Sequence, residues 1–156
     1  MNGDQFQFEK RVYLADTNAE GNVYFAKFFD LQGMAREEFF RQNVPDHAAI
    51  MQSGTKLITT NAWMVYKHEC RLFDEIAVEV QTANLKPMSL ELVFTFTNKT
   101  TRQVIGRGGQ KLAFVDSSGR LIAVPASVQE NAKRFLTDRA PELQEIELRG
   151  PSRVRP

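Results

Sequence analysis

The stretch from Val23 to about Gln42 constrains this chain more than any other. Phe25, Phe28, Leu31 or Gln32, Ala35 and Phe39 recur at steps of three and four residues and form one broad apolar face. About 18 residues make roughly five helical turns. A helix this apolar must be enclosed by other structure. Gly33 stands in its middle, where glycine costs about 1 kcal/mol relative to alanine, so a close approach by a strand or a ligand is expected there. Asn43 and Pro45 end the run.

The rest of the chain reads as strands. Gln5 to Leu14 alternates through Phe6, Phe8, Val12 and Leu14, and a turn-rich loop follows from Ala15 to Asn22. After a short helical or irregular piece at Asp46 to Met51, strands are expected at Leu57–Tyr66, Glu75–Leu85, Ser89–Asn98 and Gln103–Asp116, with a short one at Leu121–Ala123. In Ser89–Asn98 the residues Leu90, Leu92, Phe94 and Phe96 share one face. Pro87 marks a turn, and Ser117-Ser118-Gly119 signals a hairpin. A last amphipathic helix is expected at about Ala126 to Phe135. Strands met in order through tight turns are mostly antiparallel. Only the early helix is long enough to cover such a sheet. The expected architecture is α+β, an antiparallel sheet wrapped around a long central helix, as one domain over 1–139 with a polar tail over 140–156.

Composition narrows the function classes. The formal net charge of the 156 residues is +1, which gives no field for nucleic acid or an anionic membrane. No apolar run approaches the roughly 20 residues of a membrane helix. The N-terminus lacks the basic-then-apolar pattern of a secretory signal. Cys70 is the only cysteine, so no internal disulfide can form. A cytoplasmic protein is expected. Twelve Phe residues suit either a bulky core or a channel for an apolar ligand.

Asp16-Thr17-Asn18, then Gly21-Asn22-Val23-Tyr24-Phe25, then Gln32-Gly33 and Arg36-Glu37 resemble the loop and helix of hot-dog thioesterases of the 4-hydroxybenzoyl-CoA type. The match is closer to the enediyne-associated members that release polyene precursors, which carry Asn where other members carry a catalytic carboxylate. Phe73-Asp74-Glu75 and Arg107-Gly108-Gly109-Gln110 are further, weaker matches. Lys27-Phe28 and Leu31 depart from the pattern. The resemblance implies a hot-dog fold and hydrolysis of an acyl thioester, with no cofactor and no metal. The acyl group would be a polyketide, polyene or fatty chain, β-keto in type, carried by an acyl carrier protein or a polyketide synthase carrier domain. It also implies a homo-oligomer, a dimer or a dimer of dimers, with sites between subunits.

By resemblance, the Phe25 backbone N–H is the oxyanion donor, and Asn18 and Arg36 complete the catalytic set. Gly21, Asn22, Val23, Tyr24 and Phe28 would line the substrate. An amide is no base, so Asn18 would orient water or bind substrate. Arg36 lies eleven residues beyond Phe25, about 16 Å along a helix, too far for the same carbonyl within one subunit. It is expected to meet a β-keto or carboxylate group, a neighbouring chain, or a channel wall.

Plainer roles compete with these. Asn18 and Gly21 suit a turn, Arg36 and Glu37 a solvated pair, and the Phe face a core. Cys70 has no His or acid at a useful spacing for nucleophilic catalysis, and His68-Glu69-Cys70 alternate across a strand, unlike a metal site. His47 suits the surface. Other classes remain as alternatives: a general acyl-CoA thioesterase, a non-catalytic polyketide-binding protein, or a dehydratase, which would want a His and acid pair.

Overall fold

The computed structural model describes residues 3–138. The proposed tail over 140–156 lies outside the described residues. The elements run β1 (Phe6–Arg11), α1 (Lys27–Asn43), α2 (His47–Gln52), β2 (Lys56–Tyr66), β3 (Glu75–Lys86), β4 (Ser89–Asn98), β5 (Gln103–Val115), β6 (Leu121–Ile122) and α3 (Ala126–Arg134). The six strands form one sheet in the order β1-β3-β4-β5-β2, with β6 also paired to β5, and every pairing between strands is antiparallel. This is the hot-dog architecture, α+β, with α1 packed on one face of the sheet.

Register explains the core. Phe8, Val78, Phe96, Gly106 and Tyr66 lie side by side across five strands, and Phe6, Val80, Phe94, Gly108 and Met64 form the next such row. Both rows face α1, whose buried residues are Phe28, Leu31, Gln32, Ala35, Phe39 and Phe40. Each buried Phe contributes about 1.5–3 kcal/mol of apolar transfer. Ring geometry adds edge-on contacts, Phe28 to Phe96 at 5.5 Å and Phe39 to Phe135 at 5.0 Å. Val128 and Ala132 join α3 to the same core, α3 packs on β3, and Phe135 just beyond it reaches Phe39 of α1.

Three expectations need correction. First, α1 begins at Lys27 and not at Val23. The Val23 N–H bonds the Cys70 carbonyl, Tyr24 N–H bonds the Asp16 carbonyl, and Val23 bridges Thr17 as in a strand pair. Lateral bonding holds this backbone extended, so helical bonding starts only at Lys27 N–H to Tyr24 O. Second, β1 stops at Arg11, because Val12 N–H turns to the Asp74 carbonyl and a single 3-10 turn follows at Leu14–Asp16. Third, among the described residues nothing lies within 4 Å of where a Gly33 side chain would start, so no strand among them approaches it. The close approach falls instead on β5. A Cβ at Gly108 would collide with Gln32 Nε2, so only glycine lets the helix amide reach the sheet there.

Candidate active site

The segment Thr17 to Val23 is a small hairpin. Asn18 N–H bonds the Asn22 carbonyl, and Gly21 N–H bonds the Asn18 carbonyl. Gly21 takes φ +83°, a left-handed turn that L side chains avoid, and it points into open space. Asn18 Oδ1 accepts the Glu20 N–H at 3.0 Å, closing an Asx turn and leaving the amide NH2 free to donate. Asp16 anchors the hairpin by accepting from Tyr13 N–H at 2.9 Å and from Lys10 Nζ at 3.0 Å. Burial raises its pKa, but those two donors outweigh burial and hold the carboxyl below its usual range.

The second arm of the hairpin opens onto a cavity of about 250 Å³. Asn22, Val23, Phe25, Phe28, Tyr66 and the run Lys67 to Cys70 line it. Among the described residues, neither the Phe25 nor the Ala26 N–H has a hydrogen-bond partner. These are orphan donors at the start of α1, where the helix dipole favours negative charge. The Phe25 carbonyl, in contrast, is held: the Tyr66 hydroxyl donates to it at 2.7 Å. Phe28 forms the buried floor, with its ring edge-on to Tyr66 at 5.4 Å. Tyr24 is half exposed and tilts against the Phe25 ring at 4.7 Å. Two main-chain donors beside an apolar floor can hold a developing oxyanion.

The sequence-derived set is thus split within one chain. Phe25, Asn22, Val23 and Phe28 meet at the cavity. Asn18, Gly21 and Tyr24 belong to the adjoining loop and are not among its lining residues. Arg36 lies elsewhere. Its Nη1 donates to Thr59 Oγ1 at 2.8 Å and to Gln110 Oε1 at 2.9 Å. Gln110 Nε2 donates to Gln32 Oε1 at 3.2 Å, and Gln32 Nε2 donates to the Trp63 carbonyl at 3.0 Å. Gln32 and Arg36, one turn apart on α1, therefore belong to one polar chain that crosses to β5 and β2. Burial lowers the Arg36 pKa, and neutral oxygens receive its hydrogen bonds.

Tyr66 escaped the sequence because a strand-end tyrosine carries no motif; strand alternation sets it in the row with Val78 and Phe96 that faces α1. Cys70 lines the cavity but is buried, and that burial together with the Asp74 charge pushes its thiol up to about 12. It stays protonated at neutral pH and is no nucleophile. Asp74 explains the Phe73-Asp74-Glu75 match, since its Oδ2 accepts from Arg71 N–H at 2.9 Å and Asn98 Nδ2 at 2.7 Å, closing the loop beneath the cavity.

A family model described as the thioesterase-like superfamily matches residues 12–132. The acyl-CoA thioester hydrolase YbgC of Escherichia coli O6:H1 is 30% identical over 95 residues, 61% of this chain and 69% of that protein. The dynemicin thioesterase, whose crystal structures revealed induced-fit and allosteric effects upon polyene binding, superposes with a TM-score of 0.82 at 25% identity, over 86% of this chain and 99% of that one. A 1,4-dihydroxy-2-naphthoyl-CoA thioesterase from Synechocystis superposes with a TM-score of 0.76 at 19% identity, over 83% of this chain and 96% of that one, a likeness of fold.

Proposed function

The chain belongs to the thioesterase-like superfamily, and from that premise we propose that it hydrolyses an acyl thioester at the cavity in front of α1. The observation that carries this reading is the pair of unpartnered N–H groups at Phe25 and Ala26, beside a cavity that Phe25 itself lines. Water adds to the thioester carbonyl carbon. The carbonyl electron pair moves onto the oxygen, which the two main-chain donors hold. Collapse breaks the carbon–sulfur bond, and the water proton ends on the departing thiolate. A thiolate leaves readily, so no strong general acid is needed. With its oxygen engaged by Glu20, Asn18 serves through its NH2, placing water or the substrate carbonyl. Losing one main-chain donor of this kind typically costs about 2.7–4 kcal/mol of barrier.

The substrate we favour is a long polyketide or fatty acyl chain, β-keto in type, on an acyl carrier protein. The loop and helix residues Asn18, Gly21 to Phe25 and Arg36 support it, as does the likeness to a polyene-binding thioesterase. A second reading, with coenzyme A as the thiol, is favoured by the relative named as an acyl-CoA thioester hydrolase.

The site is completed, in this proposal, by a second copy. Among the described residues, strand β2 is an edge strand of eleven residues, paired only to β5. Beside it, α1 presents half-exposed Phe29, bare Gly33 and Arg36 on one flank. A long open edge calls for a partner. Antiparallel pairing of two β2 strands centred on Asn61 would set Thr59 of one copy opposite Trp63 of the other, drawing Arg36 of the partner subunit toward the Phe25 end. Gly33 would then admit the partner's helix. The test is single-turnover release of free acid from one acyl group loaded on both a carrier protein and coenzyme A, with Asn18→Ala and Arg36→Ala alongside. Binding without release by the wild type would make this a shielding protein, and full activity in either variant removes that residue from the mechanism.

A further inference from the structure

We propose that Tyr66 is a positioning residue that fixes the Phe25–Ala26 peptide and strengthens its N–H as an oxyanion donor; this rests on the hydrolytic reading above. The carbonyl of Phe25 and the N–H of Ala26 belong to the same peptide plane. The Tyr66 hydroxyl donates to that carbonyl at 2.7 Å. The other donor to it, Phe28 N–H, is at 3.4 Å, a long contact for the first turn of a helix. Tyr66 is thus the shorter of the two bonds that set how this plane is turned. A hydrogen bond received at the carbonyl also polarises the peptide, so the N–H at its other end carries more positive charge.

The fold builds this contact deliberately. Tyr66 is the last residue of β2 and pairs opposite Gly106, whose missing side chain leaves room beside the Val65 carbonyl and Met64 methyl. That register faces Tyr66 toward α1. Its ring meets Phe28 edge-on at 5.4 Å, which limits its rotation. Burial pushes the phenol pKa up, so the hydroxyl keeps its proton and remains a donor throughout the neutral range. Tyr66 is therefore a bridge between the cavity wall and the main chain that would bind the oxyanion.

Tyr66→Phe keeps the ring and removes the bond. Two readouts of the full chain separate the roles. In hydrolysis of an acyl-CoA, kcat falls about tenfold with KM unchanged, less than the hundredfold or more that follows loss of a direct donor. In the amide NMR spectrum, the Ala26 nitrogen shifts more than any amide outside residues 64–68, because its peptide has lost a partner at oxygen. Wild-type kcat in Tyr66→Phe overturns the proposal. A lowered kcat with an unmoved Ala26 resonance also overturns it, since Tyr66 would then act on substrate directly. Should the wild-type protein hydrolyse no thioester, the functional reading falls, and the Ala26 resonance still decides whether Tyr66 sets the peptide.

Discussion

Gln32→Leu tests the polar chain under α1. Gln32 is 0% exposed, yet its side chain is an amide. It donates to the Trp63 carbonyl at 3.0 Å and accepts from Gln110 at 3.2 Å. Leucine keeps the bulk and removes both bonds, stranding the Gln110 NH2 on β5 and taking one donor from the Trp63 carbonyl, which stays in the β2–β5 ladder. The stranded buried group costs about 1–3 kcal/mol and the other lost bond about 0.5–1.5 kcal/mol. Burying a leucine in place of an amide offsets about 1.5–3 kcal/mol. The expected net loss is about 1 kcal/mol, a fall of about 2–4 °C in Tm for a chain of this size. Trp63 is the only tryptophan and its indole lies against Gly109, so its fluorescence reports urea unfolding from within the perturbed region. Adding Gln110→Leu removes the stranded NH2. The double variant should therefore be less destabilised than the sum of the singles, by about 1 kcal/mol. A Gln32→Leu midpoint within 0.5 kcal/mol of wild type, or strict additivity in the cycle, would falsify the claim that these amides depend on each other.

Other expectations follow from the same geometry. Cys70→Ala should keep wild-type kcat/KM, and the native thiol should react slowly with iodoacetamide at neutral pH, because burial and Asp74 hold it protonated with a pKa of about 12; rapid labelling of the folded protein would contradict this. Gly21→Ala should lose about 1 kcal/mol of stability through strain at φ +83° and not through any clash, since nothing lies within 4 Å, and Gly21→Asn should lose less in the same urea titration. Asp16 should titrate below 3.8 by carboxylate NMR, with Lys10→Ala raising the midpoint. A lowered folded pKa means that the Asp16 contribution is whole above 3.8 and is lost as pH falls through the folded value. Lys10→Ala should therefore flatten the acid-side stability curve.

What the sequence made legible was whatever obeys a short period. Leu90, Leu92, Phe94 and Phe96 were placed on one face by alternation alone, and the register of β4 between β3 and β5 puts all four in the core. The apolar steps of α1 identified its buried side in the same way. The start of α1 was not legible, because it is decided by bonds to distant residues. Val23 and Tyr24 fit a helix by spacing, but the Cys70 and Asp16 carbonyls take their N–H groups first. The same limit applies to the site. Phe25 could be singled out from its loop, whereas Tyr66 depends on a partner 41 residues away and on the strand register that sets it in the row with Phe96.

Gly33 and Arg36 carry that lesson one step further. Glycine in mid-helix predicts a close neighbour, and among the described residues Gly33 has none, while Gly108 meets the helix amide instead. Arg36 is held by Thr59 and Gln110 beside the free edge of β2, away from the Phe25 cavity. A residue that costs helix stability and a half-buried cation bonded to neutral oxygens are both explained if a second copy packs on this flank. On that account Arg36→Glu should weaken self-association together with activity, because it would place a carboxylate against the acceptors Thr59 and Gln110 at the subunit boundary. Light scattering measures the first effect and acid release the second. A variant that keeps the wild-type mass but loses activity would place Arg36 at the substrate and not at the boundary, and one that falls to monomers yet hydrolyses normally would show that the second copy adds nothing to the site.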